Sequence, residues 1–349
     1  MKKIMMLIGI LSVTFLGACG SSNRETLNVF NWGEYIDREV LNMFEKEFNV
    51  TVNYDTFDSN ETMYQRLRAG TTSYDVVIPS DYKIERMISE GMLQQLDFDK
   101  IPNIQYVDPE FKGLVFDPDN LYSVPYFWGT VGIVYDTTVV AEPVDSWEIL
   151  WNENYRGSVY MYDSQRDSLM VALKLLGYSL NTRDIEELEA AKHKLIDQQE
   201  ATNPVYVTDT VINSMIAGNA ALAVVYSGDA AFIMSENPNM NFALPKEGTN
   251  FWVDAMVIPA DAPNPDLAHE FINFMMRPDI AQMNTEFVMY STPNMKALEA
   301  VKNEPWAQNI AYNPSPELLK SLNLEMYRDP GDFLAEFDRI WTNVLAGSR

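Results

Sequence analysis

Residues 27–56, "LNVFNWGEYIDREVLNMFEKEFNVTVNYDT", decide the fold class. Leu27 to Trp32 reads as a strand, Asp37 to Phe48 as a helix, and Val50 to Thr56 as a second strand. Glu61 to Ala69 continues as a helix, and Tyr74 to Pro79 in "YDVVIPS" reads as a buried strand with three consecutive apolar positions. This βαβαβ rhythm predicts a parallel or mixed sheet with helices on both faces. In such sheets ligands sit at the carboxyl ends of the strands, where Trp32 and Ser80 fall. Trp32 also stands two residues from Glu34. An indole and a carboxylate side by side suit a visitor that is both apolar and positively charged.

A second series begins after residue 130. "SVYMYD" (158–163) and "AALAVVYS" (220–227) read as strands, and Arg166 to Leu176 and Asp184 to Ile196 as helices. In the last helix Phe333, Phe337, Ile340, Trp341, Val344 and Leu345 form one apolar stripe. No internal repeat, low-complexity tract or long linker separates the two series. The expectation is two α/β lobes joined by short crossings, with a small-ligand cleft between them.

The N-terminus reads as a targeting segment. Lys2 and Lys3 precede an apolar run from Ile4 to Leu16, too short to span a bilayer comfortably, and Leu16-Gly17-Ala18-Cys19 resembles a lipobox. Residues 1–18 are therefore expected to be a leader, Cys19 a lipidated first residue, and residues 19–26 a tether, with Gly20-Ser21-Ser22-Asn23 its flexible part. Cys19 is the only cysteine, so no disulfide supports the exported chain and its core must suffice. About 330 residues allow that, and no later stretch is long and apolar enough for a membrane helix. The chain thus reads as a soluble, exported protein held at the outer face of the cytoplasmic membrane, in the manner of a Gram-positive cell.

Twenty-five basic residues face 50 acidic ones, and removing residues 1–18 takes away two lysines and no acid. Nucleic-acid binding is disfavoured, because phosphate contacts need basic clusters. Small cations are attracted instead, although the same charge also serves plain solubility. Catalytic parts are scarce. His193 and His269 each fall on the polar side of a helix pattern, as solvated histidines do. There is no metal-ligand spacing, no nucleophile elbow and no phosphate-cradling glycine loop. The expectation is a protein without catalytic residues, cofactor or metal.

What the chain has is rings beside acids and hydroxyls: "NWGEY" (31–35), "PSDY" (79–82), "YMYDSQRD" (160–167), "VVYSGD" (224–229), "FWVDAM" (251–256) and "VMYSTPN" (288–294). One such pair is ordinary core. Six at separate strand or loop ends suggest a cleft walled by rings and dotted with carboxylates. Sugars fit that lining, and polycations with methylene spacers fit it better. Ammonium groups pair with the acids, and each cation–π contact adds roughly 0.5–2 kcal/mol. A buried carboxylate left unpaired costs several kcal/mol, so the lining selects for cations by penalty as well as by attraction.

"NWGEY", "DSNETMY" (58–64), "YDVVIPSDY" (74–82), "YSVPYFWGT" (122–130), "RPD" (277–279) and "STPN" (291–294) together resemble the bacterial spermidine/putrescine-binding proteins over nearly the whole mature chain. The resemblance implies an α/β, two-lobed, type II periplasmic-binding-protein fold with a ligand cleft between the lobes. It also implies a monomeric receptor that binds a polyamine and delivers it to an ABC permease driven by a cytoplasmic ATPase. Lobe crossings are expected near residues 130, 251 and 297, giving one lobe of 27–130 plus 252–297 and another of 131–251 plus 298–349.

By the same resemblance, Trp32, Glu34 and Tyr35 form one part of the site, Trp32 stacking and Glu34 holding an ammonium. Ser80 and Tyr82 form a second part. Trp252 walls the methylene chain, Asp254 holds an amine, and Tyr290 closes that side. Asp167 stands where the spermidine binder has a glutamate, Ser164 where it has an acid (with Asp163 adjacent), Tyr226 where it has a tryptophan, and Tyr327 near a glutamine. These departures leave the rank of putrescine, spermidine and spermine open, with Glu34 leaning towards spermidine. A structural surface lipoprotein that binds no cation is one alternative, and two further rival readings accompany this one. One is a receptor for another small ligand such as a sugar, an amino acid or ferric iron. The other is an exported glycoside hydrolase, which requires one carboxyl of strongly raised pKa facing another.

Overall fold

The computed structural model describes residues 24–208 and 210–347. The leader, Cys19 and the Gly20–Asn23 tether lie outside the described residues. Thr26, assigned above to the tether, is the first residue of strand β1 (Thr26–Trp32).

The molecule is an α/β protein of two lobes whose sheets share one long strand. The first sheet begins β1, α1 (Arg38–Phe48), β2 (Thr51–Phe57), α2 (Asn60–Ala69), β3 (Val76–Val77), α3 (Asp81–Ser89), close to the rhythm read from residues 27–79. β1 pairs in parallel with β2 on one side and β3 on the other. Alternation along these strands places Leu27, Val29, Val76 and Ile78 in one core and Phe30, Val77 and Phe57 in another. Helices cover both faces, Phe44 of α1 on the first and Met63 and Ile84 of α2 and α3 on the second.

The shared strand is β4 (Ser123–Asp136). Residues 123–130 pair with β9 (Phe251–Val257), whereas residues 131–136 pair with β7 (Leu222–Tyr226) and β8 (Met240–Ala243). Pro125 lies at a bulge in the ladder, the kind of place where a sheet tolerates a missing N–H. The second sheet is completed by β5 (Val159–Tyr162) and β6 (Val205–Val207), parallel to each other, with β5 also parallel to β7. α4 (Gln165–Leu175), α5 (Ile185–Thr202), α6 (Thr210–Ile216) and α7 (Ser227–Glu236) pack on this sheet around one large core. The chain returns through β9 to α8 (Pro265–Met275) and α9 (Pro278–Val288), whose Phe271, Phe274 and Ile280 join the Phe44 core. It closes with α10 (Met295–Val301), α11 (Pro316–Ser321) and α12 (Leu334–Leu345). Phe337, Ile340 and Val344 of α12 are buried as its stripe predicts, but Leu345 is 50 % exposed, one residue past the covered part of the helix.

Backing the second passage between the sheets is a strap, residues 323–326. Phe251 N–H donates to Glu325 O, Glu325 N–H to Thr249 O, and Asn250 Nδ2 to Glu325 O. Lys174 of α4, buried from solvent, pairs with the Glu325 carboxylate and donates to Asn323 O (3.1 Å), while Ser179 Oγ donates to the other Glu325 oxygen at 2.5 Å. An unpaired group in such a place is expensive. Lys174→Ala is expected to lower unfolding stability by about 3 kcal/mol, read from the midpoint shift in urea.

His269 departs from its expected solvated position. It is buried, with Nδ1 2.6 Å from Pro265 O, and Nε2 accepts the Asp97 N–H at 2.9 Å, so it ties α8 to the loop before β4. His193 is exposed as expected.

Candidate functional site

Asp254 lies in the interior of β9, bridged to Ser80 at the end of the neighbouring strand. Only 5 % exposed, it accepts the Tyr35 hydroxyl on Oδ2 at 2.7 Å, and its Oδ1 is buried without a partner. Burial raises its pKa to about 6, offset in part by the Ser80 and Tyr35 hydroxyls. The adjoining β9 residue on this side, Trp252, is also buried with an unpartnered indole N–H, as is the indole N–H of Trp32 at the end of β1. A lone buried carboxylate oxygen among rings is a cation acceptor.

The rings run outward from Trp252. Tyr290 meets it edge-on at 5.2 Å and Tyr226 at 6.2 Å, and Tyr35 meets Tyr290 at 5.8 Å. Two glycines admit them. A Cβ on Gly129 of β4 would sit 2.5 Å from the Trp252 indole, and one on Gly228 of α7 would sit 2.4 Å from the Tyr290 ring.

Each tyrosine delivers its hydroxyl to an acid. Tyr226 donates to Asp167 Oδ2 at 2.8 Å, and Ser164 Oγ reaches the same oxygen at 2.6 Å. Tyr290 donates to Asp229 Oδ1 at 2.8 Å and Tyr162 to Asp229 Oδ2 at 3.1 Å. Burial, followed by the neighbouring carboxylate, pushes the Tyr35, Tyr226 and Tyr290 phenols well above their ordinary pKa, so each remains a neutral donor. Ser164 is also the N-cap of α4, and its double use fixes Asp167 in the first turn. Tyr82 and Tyr327 stack edge-on at 6.4 Å beside this end, the Tyr327 hydroxyl buried without a partner.

Of the residues expected from sequence, the structure draws Tyr35, Ser80, Ser164, Asp167, Tyr226, Trp252, Asp254 and Tyr290 into one connected group. Tyr82 and Tyr327 lie at its edge. Trp32 is half-buried on Phe57 at 4.5 Å. Glu34 stays exposed in the turn after β1, and Asp163 is likewise exposed rather than filling in for an acid at Ser164. Asp229 is a further acid of this group that residue-by-residue assignment missed, although "VVYSGD" displays it beside a ring.

Asp81 tests the hydrolase reading. Burial raises its pKa to about 8, with Asp254 contributing, so a raised carboxyl does stand near another acid. Both its oxygens, however, accept backbone N–H groups, from Tyr82 at 2.6 Å and Val253 at 3.2 Å. It staples α3 to β9, with both oxygens engaged by the backbone.

Raised acids make a pH prediction. Folding binds protons at Asp254 and Asp81, so their contribution to stability is present below about pH 4 and lost as pH rises through about 6 and about 8. The unfolding midpoint of the ligand-free protein is expected to fall between pH 5 and 8. A cation that needs ionised Asp254 is expected to bind more weakly below pH 6, by roughly tenfold per unit. Calorimetric scans and titrations across that range check both.

A two-lobed α/β fold with rings and acids gathered where the two sheets meet is the architecture of a solute-binding protein. Residues 39–314 match the bacterial extracellular solute-binding protein family. The chain is 36 % identical over 337 residues to the spermidine/putrescine-binding periplasmic protein of Escherichia coli, covering 95 % of each. It superposes on a putative spermidine/putrescine ABC transporter protein from Listeria monocytogenes with a TM-score of 0.85 at 40 % identity, covering 92 % of this chain and 99 % of that one. The Streptococcus pneumoniae PotD substrate-binding protein, in complex with calcium and HEPES, gives 0.83 at 39 %, covering 93 % and 100 %. The chain belongs to the bacterial extracellular solute-binding proteins and, within them, to the spermidine/putrescine-binding group. Among the described residues no helix is long and apolar enough to cross a membrane.

Proposed function

We propose that this protein is an extracytoplasmic polyamine receptor that holds spermidine or putrescine between its lobes and delivers it to an ABC importer. The buried, unpartnered Oδ1 of Asp254 carries the reading, because that oxygen asks for a cationic donor in a wall of rings. Asp254 takes one ammonium, with Trp252, Trp32, Tyr35 and Tyr290 along the methylene chain and Ser80 beside the acid. Asp229 and Asp167 serve the other end, presented by Tyr162, Tyr290, Tyr226 and Ser164, with Tyr82 and Tyr327 flanking. Glu34 adds negative potential at the mouth. The kinship with spermidine/putrescine binders at 36–40 % identity supports the ligand class.

In this reading one lobe comprises residues 27–130 and 252–297 and the other 131–251 and 298–349, and the pair closes on the ligand without chemistry. Lipid on Cys19 holds the monomer at the outer face of the membrane, next to a permease powered by a cytoplasmic ATPase.

A thermal-shift panel of putrescine, cadaverine, spermidine and spermine tests it. A ligand at a hundred times its dissociation constant adds about 2.7 kcal/mol of stability, a readily visible shift. No shift with any polyamine, together with turnover of an oligosaccharide, would favour the hydrolase instead.

A further inference from the structure

We propose that Glu85 and Arg328 form a latch across the lobes that sets how long the ligand is retained, without either residue touching it. The inference rests on the lobe assignment and binding role proposed above.

Glu85 lies on α3, whose Ile84 and Met87 are packed in the first lobe. Its carboxylate accepts Arg328 Nε at 2.9 and 3.1 Å, Arg328 Nη2 at 2.5 Å and the Asp329 N–H at 3.0 Å. A bidentate guanidinium plus a backbone N–H is the strong form of an ion pair, and Glu85 is only 24 % exposed in it.

Arg328 is fixed to the second lobe. Its N–H donates to Asn181 Oδ1 at 2.8 Å, and Asn181 Nδ2 donates to Met326 O at 2.7 Å. Tyr327 is buried in the large core built mainly on the second lobe, which also takes in Tyr82, and Met326 packs on the first-lobe core. Lys174 and Ser179 of the second lobe clamp Glu325. One turn before Glu85 on the same face of α3, Tyr82 lies under the Arg166 guanidinium, which sits 3.8 Å from its centroid. Arg166 and Arg328 line one cavity of about 40 Å³ together with Tyr327. Two arginines of the second lobe thus grip one face of a first-lobe helix.

A guanidinium repels a polyamine, so these arginines are placed to hold the helix, not the ligand. Contacts made only when the lobes are together lower the free energy of the closed state, and release requires breaking them. Loss of the latch therefore speeds dissociation and leaves encounter with the open cleft unaltered.

Stopped-flow dissociation of putrescine and of spermidine is measured for the wild type, Glu85→Gln, Arg328→Gln and the double variant. Each single variant is expected to raise koff about 3- to 10-fold with kon within about 2-fold, and the double variant to raise it no further than a single one. The ligand-free unfolding midpoint is expected to stay within about 2 °C. Unchanged koff, or two effects that multiply in the double variant, overturns the latch while leaving the receptor reading intact. Absence of polyamine binding in the wild type overturns both.

Discussion

Asp254→Asn is expected to reduce putrescine and spermidine affinity by about 100-fold or more, with a folded protein and a retained Tyr35 contact. Asparagine keeps the shape of the side chain and an oxygen for Tyr35, whose hydroxyl now lies 2.7 Å from Oδ2. What it removes is the charge beside the unpartnered Oδ1. Truncating one partner of a buried hydrogen-bonded charge pair costs about 2–5 kcal/mol, and 2.7 kcal/mol corresponds to a hundredfold. The ligand-free variant gains stability near neutral pH, because the wild-type carboxylate, with a pKa of about 6, is held charged in a desolvated place. Calorimetric titration and an unfolding curve on the same preparation give both signs. Unchanged affinity would remove Asp254 from the site.

Gly228→Ala is expected to weaken polyamine binding by roughly 5- to 100-fold through a single methyl group. The new Cβ would lie 2.4–2.5 Å from three Tyr290 ring atoms, closer than carbon atoms approach. Gly228 is helical, so alanine meets no backbone penalty, and the three atoms nearest the new Cβ all belong to the Tyr290 ring. Tyr290 must swing away, which breaks its 2.8 Å bond to Asp229 and its edge contact with Trp252. Overpacking of this kind costs about 1–3 kcal/mol. A double variant separates mechanisms. In a Tyr290→Ala background the same glycine substitution is expected to add less than about 0.5 kcal/mol, because the obstructing ring is gone.

Local patterning made much of this molecule legible. Alternation along Leu27–Trp32 and the helical period of residues 37–48 depend on neighbours within a few positions, and β1 and α1 formed within a residue of those limits. The strands between the lobes were harder to read. "SVPYFWGTVGIVYD" contains a proline and two glycines in an apolar run, and becomes the shared strand β4 only because β9, β7 and β8, distant in sequence, pair with it. The strap at 323–326 has no strand pattern of its own, since its order comes from Lys174, Asn181 and the 249–251 backbone.

In the candidate site, rings beside acids pointed to segments that the fold brings together, but not to the direction of each side chain. Glu34 reads as an equal of Asp254, yet a turn residue points to water while a sheet-interior residue cannot. Asp229 becomes meaningful only once Tyr290, 61 residues away in sequence, reaches it. His269 was misjudged because a polar side of α8 is covered by the loop carrying Asp97.

A crystal structure of the protein grown with putrescine or spermidine tests the central claim most directly. The account predicts one ammonium nitrogen within hydrogen-bond distance of Asp254 Oδ1, the methylene chain against Trp252, and the far ammonium between Asp229 and Asp167. A ligand bound elsewhere, or a cleft in which Asp254 Oδ1 faces no cationic group at saturating polyamine, would contradict it.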